Sequence, residues 1–410
     1  MISPCRERIP AAGNRRLAAL LHELGRFVSP CVKLLLPPRS RGEGLSDRTL
    51  IRRILVLRTD GLGDLVMSSP MFPALKRAFP NARVTVLAAN WSRDLVPLVP
   101  GIDDVLFLDA PWVTGGGTSA WAKLFETIRR LRNEDFDLGI DPRGDFRNNL
   151  LLFLAGIPRR VGFAITGGDY WLTDVIPAGP DRHLRSFART VVEYLAPDMP
   201  CDPFLPFIRL PESGKNAASS FLAGHSAVRS PTRPVVVIHP AARWPGRQWS
   251  IERYAEVADR LVAEYGAAII LTGSMSERQV ACSVAEKCKI ANVINASGAV
   301  PFSGFLGLLA LADLFIGVDS GPMHLADALG TPVIALVGPA LARTICPSGL
   351  SSCVITFQDQ FSCVPCSQTE CLRKGNSCLD AISVEHVLSA VFRILGNVPG
   401  MQMGLERPIG

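Results

Sequence analysis

The segment 314–338 constrains the fold of this chain more than any other. It contains the apolar run Leu314–Val318, the polar turn Asp319–Gly321, a short helical stretch and, after Gly330–Pro332, a second apolar run. Apolar runs of this length, joined through a helix, are typical of parallel strands that are buried on both faces of a sheet. The segment therefore predicts a β–α–β unit.

The turn inside this unit also points to a ligand. Ser320 can cap the helix, and Pro322 fits its first turn, where no backbone N–H is missed. A helix start offers N–H groups and the positive end of the helix dipole to an anion. Because Asp319 and His324 flank that start, we expect the turn to hold a phosphorylated ligand. The alternative is an ordinary crossover with a well-capped helix.

The same alternation of apolar runs and helical stretches occurs in two series along the chain. The apolar runs lie at 53–58, 82–89, 105–109 and 136–141 in the first series, and at 234–240, 267–272 and 293–295 in the second. Helices are predicted from the turn at 59–64 to about Phe79, near 251–265 and near 277–288. The pattern predicts an α/β fold of two Rossmann-like domains with parallel sheets, facing a central cleft where ligands bind at the carboxyl ends of the strands.

Length and composition set the expected domain boundaries. A chain of 410 residues exceeds the usual limit for one domain. We expect a first domain at 51–195, a connection rich in Pro, Ser and Gly at 196–233, and a second domain at 234–395. A basic extension (1–50) and a flexible tail (396–410) flank them.

The N-terminal extension carries the basic character of the chain. Residues 1–53 hold eleven Lys or Arg and four Asp or Glu, more than the whole net charge of +6. The stretch 17–28 has helical apolar spacing beside Arg15, Arg16 and Arg26, and a segment of this kind can lie peripherally on the anionic inner membrane. The alternative is a helix packed on the main body. Aromatic residues are not interleaved with the basic ones, so nucleic-acid binding is not favoured.

The chain has no apolar run of transmembrane length, and its start lacks a clean apolar core followed by a small-residue cleavage site. We therefore expect a cytoplasmic protein.

The turn after the first strand carries Gly61, Gly63 and Asp64. It resembles the opening of a dinucleotide fingerprint, but position 66 is Val, so NAD binding is not favoured. The two glycines would let the backbone approach a ligand closely. Asp64 would then face the cleft, where a carboxylate could take a proton from a sugar hydroxyl. The alternative is a helix-terminal acid with no chemical role.

The loop after the first strand of the second series contains two arginines and two tryptophans: Arg243, Trp244, Arg247 and Trp249. Arg offers a fixed fork for phosphate oxygens and Trp a stacking surface, which suits a flat anionic ligand. A solvated loop with tryptophan anchors is the alternative. Glu277 ends another strand and could bind a ribose or sugar hydroxyl.

Taken together, these segments resemble the ADP-heptose:lipopolysaccharide heptosyltransferases of glycosyltransferase family nine. The resemblance covers about 52–390 and rests on the Gly-Leu-Gly-Asp turn within 54–73, on FDLGIDPRGDFRNNLLLFLAGIPRRVGF at 136–163, and on segments 239–254 and 315–338. It implies the GT-B fold and an inverting transfer that needs no metal. The first domain would take the acceptor and the second the nucleotide sugar.

The resemblance also implies roles for individual residues. Asp64 matches the general base that deprotonates the acceptor hydroxyl. Arg247 falls where the family usually has Lys, and it would neutralise the leaving diphosphate with the same charge but a different geometry. The remaining matches form the donor site: Gly61, Gly63, Glu277, Asp319, Ser320, Gly321 and His324. The extension at 1–50 is not part of the family pattern.

Four cysteines cluster near the C-terminus with the spacing C-x2-C-x4-C-x6-C: Cys363, Cys366, Cys371 and Cys378. Four thiolates this close can hold one tetrahedral metal ion, zinc or alternatively iron. Free or redox-active thiols and two disulfides are the other interpretations. Similar clusters occur in many members of the resembled family, which implies a structural staple without a part in catalysis.

The sequence thus predicts a transferase that moves heptose from ADP-heptose to a hydroxyl of a glycolipid acceptor resembling the lipopolysaccharide core. Two alternatives stay open. A sugar-nucleotide epimerase of the same fold would change the donor sugar without an acceptor. A non-catalytic sugar-nucleotide-binding protein would tolerate loss of Asp64.

Overall fold

The fold is known from a computed structural model. It describes residues 26, 29, 47–114, 117–179, 183–227, 230, 233–290, 293–347, 349, 352–366, 371, 373 and 375–396. The basic N-terminal stretch at 17–28, apart from Arg26, lies outside these residues, and so does almost all of the tail at 396–410. The predicted membrane contact and the predicted flexible tail therefore stay predictions.

The chain divides into two compact units. The first comprises residues 1–209 with the short segments 343–345 and 365–367, and the second comprises the remainder from Leu210 onward.

In the first unit, the described residues form a parallel sheet of six strands in the order β3-β2-β1-β4-β5-β6. Its strands are β1 (Arg53–Arg58), β2 (Arg83–Ala88), β3 (Asp104–Phe107), β4 (Leu138–Asp141), β5 (Arg159–Gly162) and β6 (Asp174–Val175). In the register, Val56 of β1 lies opposite Val86 of β2 and Ile140 of β4. The chain reverses its direction of winding between β1 and β4, which is where ligands bind in such sheets.

Helices cover this sheet: α1 (Leu62–Met67), α2 (Met71–Ala78), α3 (Pro111–Thr114), α4 (Thr118–Asn133), α5 (Phe146–Leu154) and α6 (Leu184–Leu195). The single helix predicted up to Phe79 is wrong, because the structure breaks it between α1 and α2. Pro70 lies at that break, where a proline inside a helix would clash with the preceding turn. Ser68 Oγ also donates to the carbonyls of Asp64 and Leu65, at 2.9 and 3.0 Å.

In the second unit, the described residues form another parallel sheet, in the order β12-β11-β10-β7-β8-β9. Its strands are β7 (Val235–His239), β8 (Ala268–Leu271), β9 (Val293–Asn295), β10 (Leu314–Val318), β11 (Val333–Leu336) and β12 (Cys353–Ile355). Here the winding reverses between β7 and β10, where Val237 lies opposite Phe315. Two parallel sheets of six strands confirm the predicted α/β fold class.

The helices of this unit are α7 (Glu212–Gly224), α8 (Ile251–Tyr265), α9 (Arg278–Lys287), α10 (Phe302–Leu311), α11 (Gly321–Ala328) and α13 (Val384–Leu395). Helix α12 (Ala342–Ile345) begins in this unit, but its residues 343–345 group with the first unit. Helix α7 lies within the predicted connection at 196–233 and packs closely on α10. An added Cβ on Gly307 would lie 2.3 Å from the carbonyl oxygen of Gly214. Glycine is therefore required where these helices cross.

Each sheet contributes to a hydrophobic core of fully buried residues. One core packs Leu55 and Leu57 of β1 against Leu152 of α5. The other packs Ile238 of β7 against Leu261 of α8. No helix among the described residues is both long and apolar enough to cross a membrane.

Candidate active site

Asp64 lies in the first turn of α1, directly after β1. Its Oδ2 accepts a hydrogen bond from the backbone N–H of Gly61 at 2.9 Å. A Cβ added to Gly61 would lie only 2.9 Å from the same oxygen, so a side chain at position 61 would displace the carboxylate. The glycine predicted to bring the backbone close to a ligand thus also fixes the orientation of Asp64.

A buried ion cluster surrounds this turn. Arg58 donates through Nη2 to the backbone oxygen of Asp64 at 2.6 Å, and its Nη1 lies 3.4 Å from Asp60 Oδ2. Arg143 Nη1 reaches the same Asp60 oxygen at 3.4 Å. Burial raises the pKa of Asp60, the two arginines oppose that shift, and the negative charge of Asp64 adds to it. Asp60 therefore links the end of β1 to the loop after β4.

Asp141 closes β4 with a fully buried carboxylate. Its Oδ2 accepts from the N–H groups of Gly144 and Asp145 at 2.8 and 3.0 Å, and its Oδ1 accepts from Asn148 Nδ2 at 3.1 Å. Burial raises the pKa of Asp141 to about 6, against the opposing effect of the Asn148 hydrogen bond. These contacts fix the loop that carries Arg143.

Arg143 is the cationic centre of the cluster. Although 47% of its side chain is exposed, partial desolvation of the guanidinium would lower its pKa. Nearby carboxylates raise the pKa instead: Asp60, Asp64, Asp145 and Asp141. Its guanidinium is therefore permanently charged beside the turn that holds Asp64. Sequence reasoning assigned no role to this arginine or to Asp60. The available signal was the run Asp-Pro-Arg-Gly-Asp at 141–145, directly after a buried strand.

In the second unit, Arg247 and Asp319 contact each other where the direction of winding reverses between β7 and β10. Arg247 follows β7, Asp319 follows β10, and Arg247 Nη1 lies 2.7 Å from Asp319 Oδ2. The same nitrogen donates to the backbone oxygen of Asp319 at 3.3 Å. The Asp319 side chain is buried and that of Arg247 is one-quarter exposed. The structure thus brings together two residues that sequence analysis singled out separately.

Helix α11 starts at this ion pair. Ser320 occupies the N-cap position with an extended backbone, but the predicted side-chain cap is wrong, since its hydroxyl makes no cap hydrogen bond. Within the described part of the chain, the buried Ser320 Oγ has no hydrogen-bond partner. Gly321 and Pro322 form the first turn, and His324 is buried behind it. A polar atom buried here without a partner, at a helix start, suits an anionic ligand.

Glu277 has a structural partner. Its Oε2 accepts from the N–H and hydroxyl of Ser274, at 2.7 and 2.8 Å, and closes a capping box ahead of α9. Burial alone would raise the pKa of Glu277. The hydrogen bonds from Ser274 lower this pKa, and so does the electrostatic effect of the nearby His239. Burial in turn lowers the pKa of His239, whose Nδ1 lies 3.3 Å from Thr272 Oγ1. The carboxylate of Glu277 is thus ionised at the end of β8.

A family comparison identifies the family of this chain. Residues 124–376, more than half of the chain, match the model of glycosyltransferase family 9, described as heptosyltransferase. The chain belongs to glycosyltransferase family 9. It is therefore a glycosyltransferase, and its two parallel sheets are those of the GT-B fold.

Individual relatives of this family 9 glycosyltransferase are distant. Lipopolysaccharide heptosyltransferase 2 of Escherichia coli K12 is 26% identical over 299 residues, which cover 70% of this chain and 83% of the relative. A family 9 glycosyl transferase structure from Veillonella parvula has a TM-score of 0.70 at 23% identity, covering 84% of this chain and 97% of that chain. The structure of E. coli ADP-heptose lps heptosyltransferase II has a TM-score of 0.65 at 23% identity, covering 84% and 98%.

The two tryptophans of the loop after β7 differ in their exposure to solvent. Trp249 is 1% exposed, and its indole N–H donates to the backbone oxygen of Ile382 at 3.0 Å, so the prediction that it stacks on a ligand is wrong. It anchors the loop instead. Trp244 is partly exposed and lies beneath the Arg243 guanidinium, 5.3 Å from its ring centre. In this family 9 glycosyltransferase, Trp244 alone of the two can offer a ring to a ligand.

All four clustered cysteines belong to the described residues. Cys363 is exposed, Cys378 is buried, and Cys366 and Cys371 are intermediate. Among the described residues, no group of three or more His, Cys, Asp or Glu side chains is placed so that it could hold a metal ion. The structure therefore does not support the predicted zinc or iron site.

Proposed function

We propose that this glycosyltransferase is an inverting heptosyltransferase. It would move heptose from ADP-heptose to a hydroxyl of a glycolipid acceptor resembling the lipopolysaccharide core. The family description and the name of the E. coli lipopolysaccharide relative support this choice of sugar and acceptor. The E. coli ADP-heptose enzyme of similar fold supports the choice of nucleotide.

The observation that carries the proposal is the fixed carboxylate of Asp64. The Gly61 N–H holds one oxygen at 2.9 Å, at the end of the sheet where the direction of winding reverses. A carboxylate held in this way can accept a proton from an acceptor hydroxyl in its ionised form. We propose Asp64 as the general base.

The transfer then balances as a single displacement. The acceptor hydroxyl gives its proton to Asp64 while its oxygen forms a bond to the anomeric carbon of heptose. The bond from that carbon to the diphosphate oxygen breaks, and ADP leaves with the electron pair. Attack opposite to the leaving group inverts the anomeric configuration.

We propose that the second unit stabilises the departing ADP. Arg247, which already neutralises Asp319 at 2.7 Å, has a partly exposed fork that can share its charge with a diphosphate. Ser320, Gly321 and His324 form the helix start beside it. The capping box engages Oε2 of Glu277, and we propose that Oε1 accepts a ribose hydroxyl. The backbone of Gly61 and Gly63 would approach the donor sugar.

Nucleotide binding tests the donor site. In calorimetry we expect the protein to bind ADP more tightly than UDP or GDP. We expect Asp319→Ala to abolish binding, because Arg247 loses the carboxylate that holds it in place. Asp359→Ala, an exposed acid of the same unit, is the matched control and should bind ADP as the native chain does. Preference for UDP or GDP would contradict the ADP assignment.

A chelator tests whether transfer needs a metal ion. We propose that it does not, since Arg247 and the helix start supply the positive charge. EDTA should leave the initial rate of transfer unchanged. Elemental analysis of the protein before EDTA is added shows separately whether it contains zinc or iron. A loss of rate that Mg²⁺ or Mn²⁺ restores would contradict metal-independent transfer.

Membrane contact is a separate part of the proposal. A glycolipid acceptor would be met at the inner membrane surface, and the basic residues at 1–50 would attach the chain there peripherally.

A further inference from the structure

Helix α4 keeps two large aromatic side chains exposed. Trp121 is 50% exposed and Phe125 is 67% exposed. Residues four apart in an α-helix lie one turn apart on the same side, so the two rings are neighbours. Another side of the helix carries the buried Leu124 and Leu131, which pack into the core of the first unit. Single exposed apolar side chains are ordinary, but an adjacent aromatic pair indicates a contact surface.

The charge around the two rings is mostly positive. Helix α4 contains four basic residues and one acid, Glu126. Arg132 is part of the packing, since it donates to a backbone oxygen at the end of α5 at 2.8 Å. The other basic side chains are exposed: Lys123, Arg129 and Arg130. Arg129 lies one turn beyond Phe125 on the same side, and Arg130 keeps 63% exposure although it lies 3.8 Å from Glu134.

The topology of the first unit fixes which edge of the sheet this surface adjoins. Helix α4 leads the chain from β3 back to β4, and these strands are parallel. The helix therefore runs opposite to the strands, and its first turns lie at their carboxyl ends. Trp121 and Phe125 belong to the first half of the helix. A large flat surface that bound these rings would adjoin the same edge of the sheet as the turn of Asp64.

An anionic lipid bilayer matches this helix face better than a second copy of the chain does. In helices that lie on membranes, Trp and Phe enter the headgroup region while Lys and Arg bind the anionic headgroups. A symmetric dimer through α4 would instead place the exposed basic residues opposite the same residues of the other copy. Like charges at such an interface repel each other.

We propose that α4 is a membrane-binding helix. Trp121 and Phe125 enter the headgroup region of an anionic bilayer, and the three exposed basic residues bind lipid phosphates. This contact differs from the electrostatic attachment proposed for residues 1–50, because apolar rings leave water. It rests on the proposed function in one respect, namely that a glycolipid acceptor is held in a membrane.

Binding to lipid vesicles tests the role of this face. The full-length chain is sedimented with vesicles of phosphatidylcholine and phosphatidylglycerol, and with vesicles of phosphatidylcholine alone. Trp121→Ala and Phe125→Ala should each lower the partition coefficient about tenfold, which corresponds to roughly 1.4 kcal/mol for each ring. Arg129→Gln should lower it about fivefold on the anionic vesicles and leave it unchanged on the neutral ones.

Two further variants serve as controls. Phe392→Ala is the matched control, since Phe392 is a 39% exposed aromatic residue on α13 of the second unit, and this variant should bind vesicles as the native chain does. Trp121→Phe keeps an aromatic ring and should lose far less binding than Trp121→Ala. Bromine atoms on the lipid acyl chains quench an indole that enters the bilayer. The native chain should therefore be quenched more strongly than Trp121→Phe.

Four results would overturn the membrane-binding role of α4. One is native vesicle binding by Trp121→Ala and Phe125→Ala, and another is equal quenching of the native chain and Trp121→Phe. A loss of thermal stability in both alanine variants would show that the rings pack within the protein. A dimer in solution that dissociates in Phe125→Ala would assign the face to a second copy.

The vesicle experiment is independent of the transfer reaction, because it contains neither donor nor acceptor. Failure of the native chain to transfer heptose from ADP-heptose to heptose-deficient lipopolysaccharide would contradict the proposed function and leave the membrane contact standing. Normal transfer together with native vesicle binding by the alanine variants would overturn the membrane contact and leave the proposed function standing.

Discussion

Replacing Asp64 with Asn should lower kcat by about 10²-fold or more, the range expected for loss of a general base. Asn has nearly the same shape, and its side-chain oxygen can still accept the Gly61 N–H that holds Asp64 Oδ2 at 2.9 Å. It cannot take a proton from the acceptor. The measurement is the initial rate of heptose transfer at saturating donor and acceptor.

The control for this prediction removes a carboxylate from the same unit. Asp104 forms a surface ion pair with Arg83, at 2.8 Å, and exposed pairs of this kind contribute little to stability. Asp104→Asn should keep the native kcat. Binding of ADP should be unchanged in Asp64→Asn, because the proposed nucleotide contacts belong to the second unit. A native kcat in Asp64→Asn would exclude Asp64 as the base and favour a non-catalytic role for its turn.

Features that depend on nearby residues could be predicted from the sequence. Helix α8 has its predicted bounds, Ile251–Tyr265, because both of its ends are set locally. Ser250 Oγ accepts from the N–H of Arg253 at 3.3 Å at the start, and Gly266 adopts φ 60° at the end. Strands β1–β4 and β7–β11 were predictable for a similar reason, since a parallel strand buried on both faces needs a continuous apolar run. The short strands β5, β6 and β12 were not predicted.

Features that depend on distant residues could not be predicted. Trp249 was expected to be a stacking surface, but its partner is the carbonyl of Ile382, more than a hundred residues away in the chain. The link between Asp60 and Arg143 joins loops that follow β1 and β4. The run at 141–145 marks Arg143 as a polar residue at a strand end, but nothing in it indicates that Asp60 is its partner. Local pattern identifies the polar residues at strand ends, while the order of strands decides which of them meet.

The two units share one arrangement of carboxylates and arginines at the carboxyl ends of their strands. In each sheet an Asp–Arg contact spans the point where the direction of winding reverses: Asp60 with Arg143 in the first, and Arg247 with Asp319 in the second. Buried carboxylates at these positions need counter-charges, and the arginines that supply them keep part of their guanidinium exposed. Each unit thereby presents a fixed cation at the end of its sheet. This arrangement suits an enzyme whose proposed donor, a sugar diphosphonucleotide, is anionic.

Replacing Arg247 with Ala should lower kcat/KM for ADP-heptose by about 10²- to 10³-fold, which is typical for loss of a group that stabilises developing negative charge. Arg247→Lys should lose less, because an ammonium group keeps the charge but not the planar fork. Both variants are compared by transfer rate and by thermal unfolding, since Arg247→Ala also removes a counter-charge from the buried Asp319. The lysine variant keeps that charge, so its loss of rate reports on the contact with the diphosphate.

The matched control for Arg247 is Arg260→Ala. Arg260 lies on α8 in the same unit, is 42% exposed and pairs with Glu264 one turn further along the helix. Its loss should leave kcat/KM unchanged and lower thermal stability only slightly. Two results would contradict the proposed role of Arg247. One is a native kcat/KM in Arg247→Ala. The other is a combined result: Arg247→Ala loses activity in proportion to its loss of folded protein, and Arg247→Lys stays fully active. The positive charge at position 247 would then be needed only to stabilise the buried Asp319.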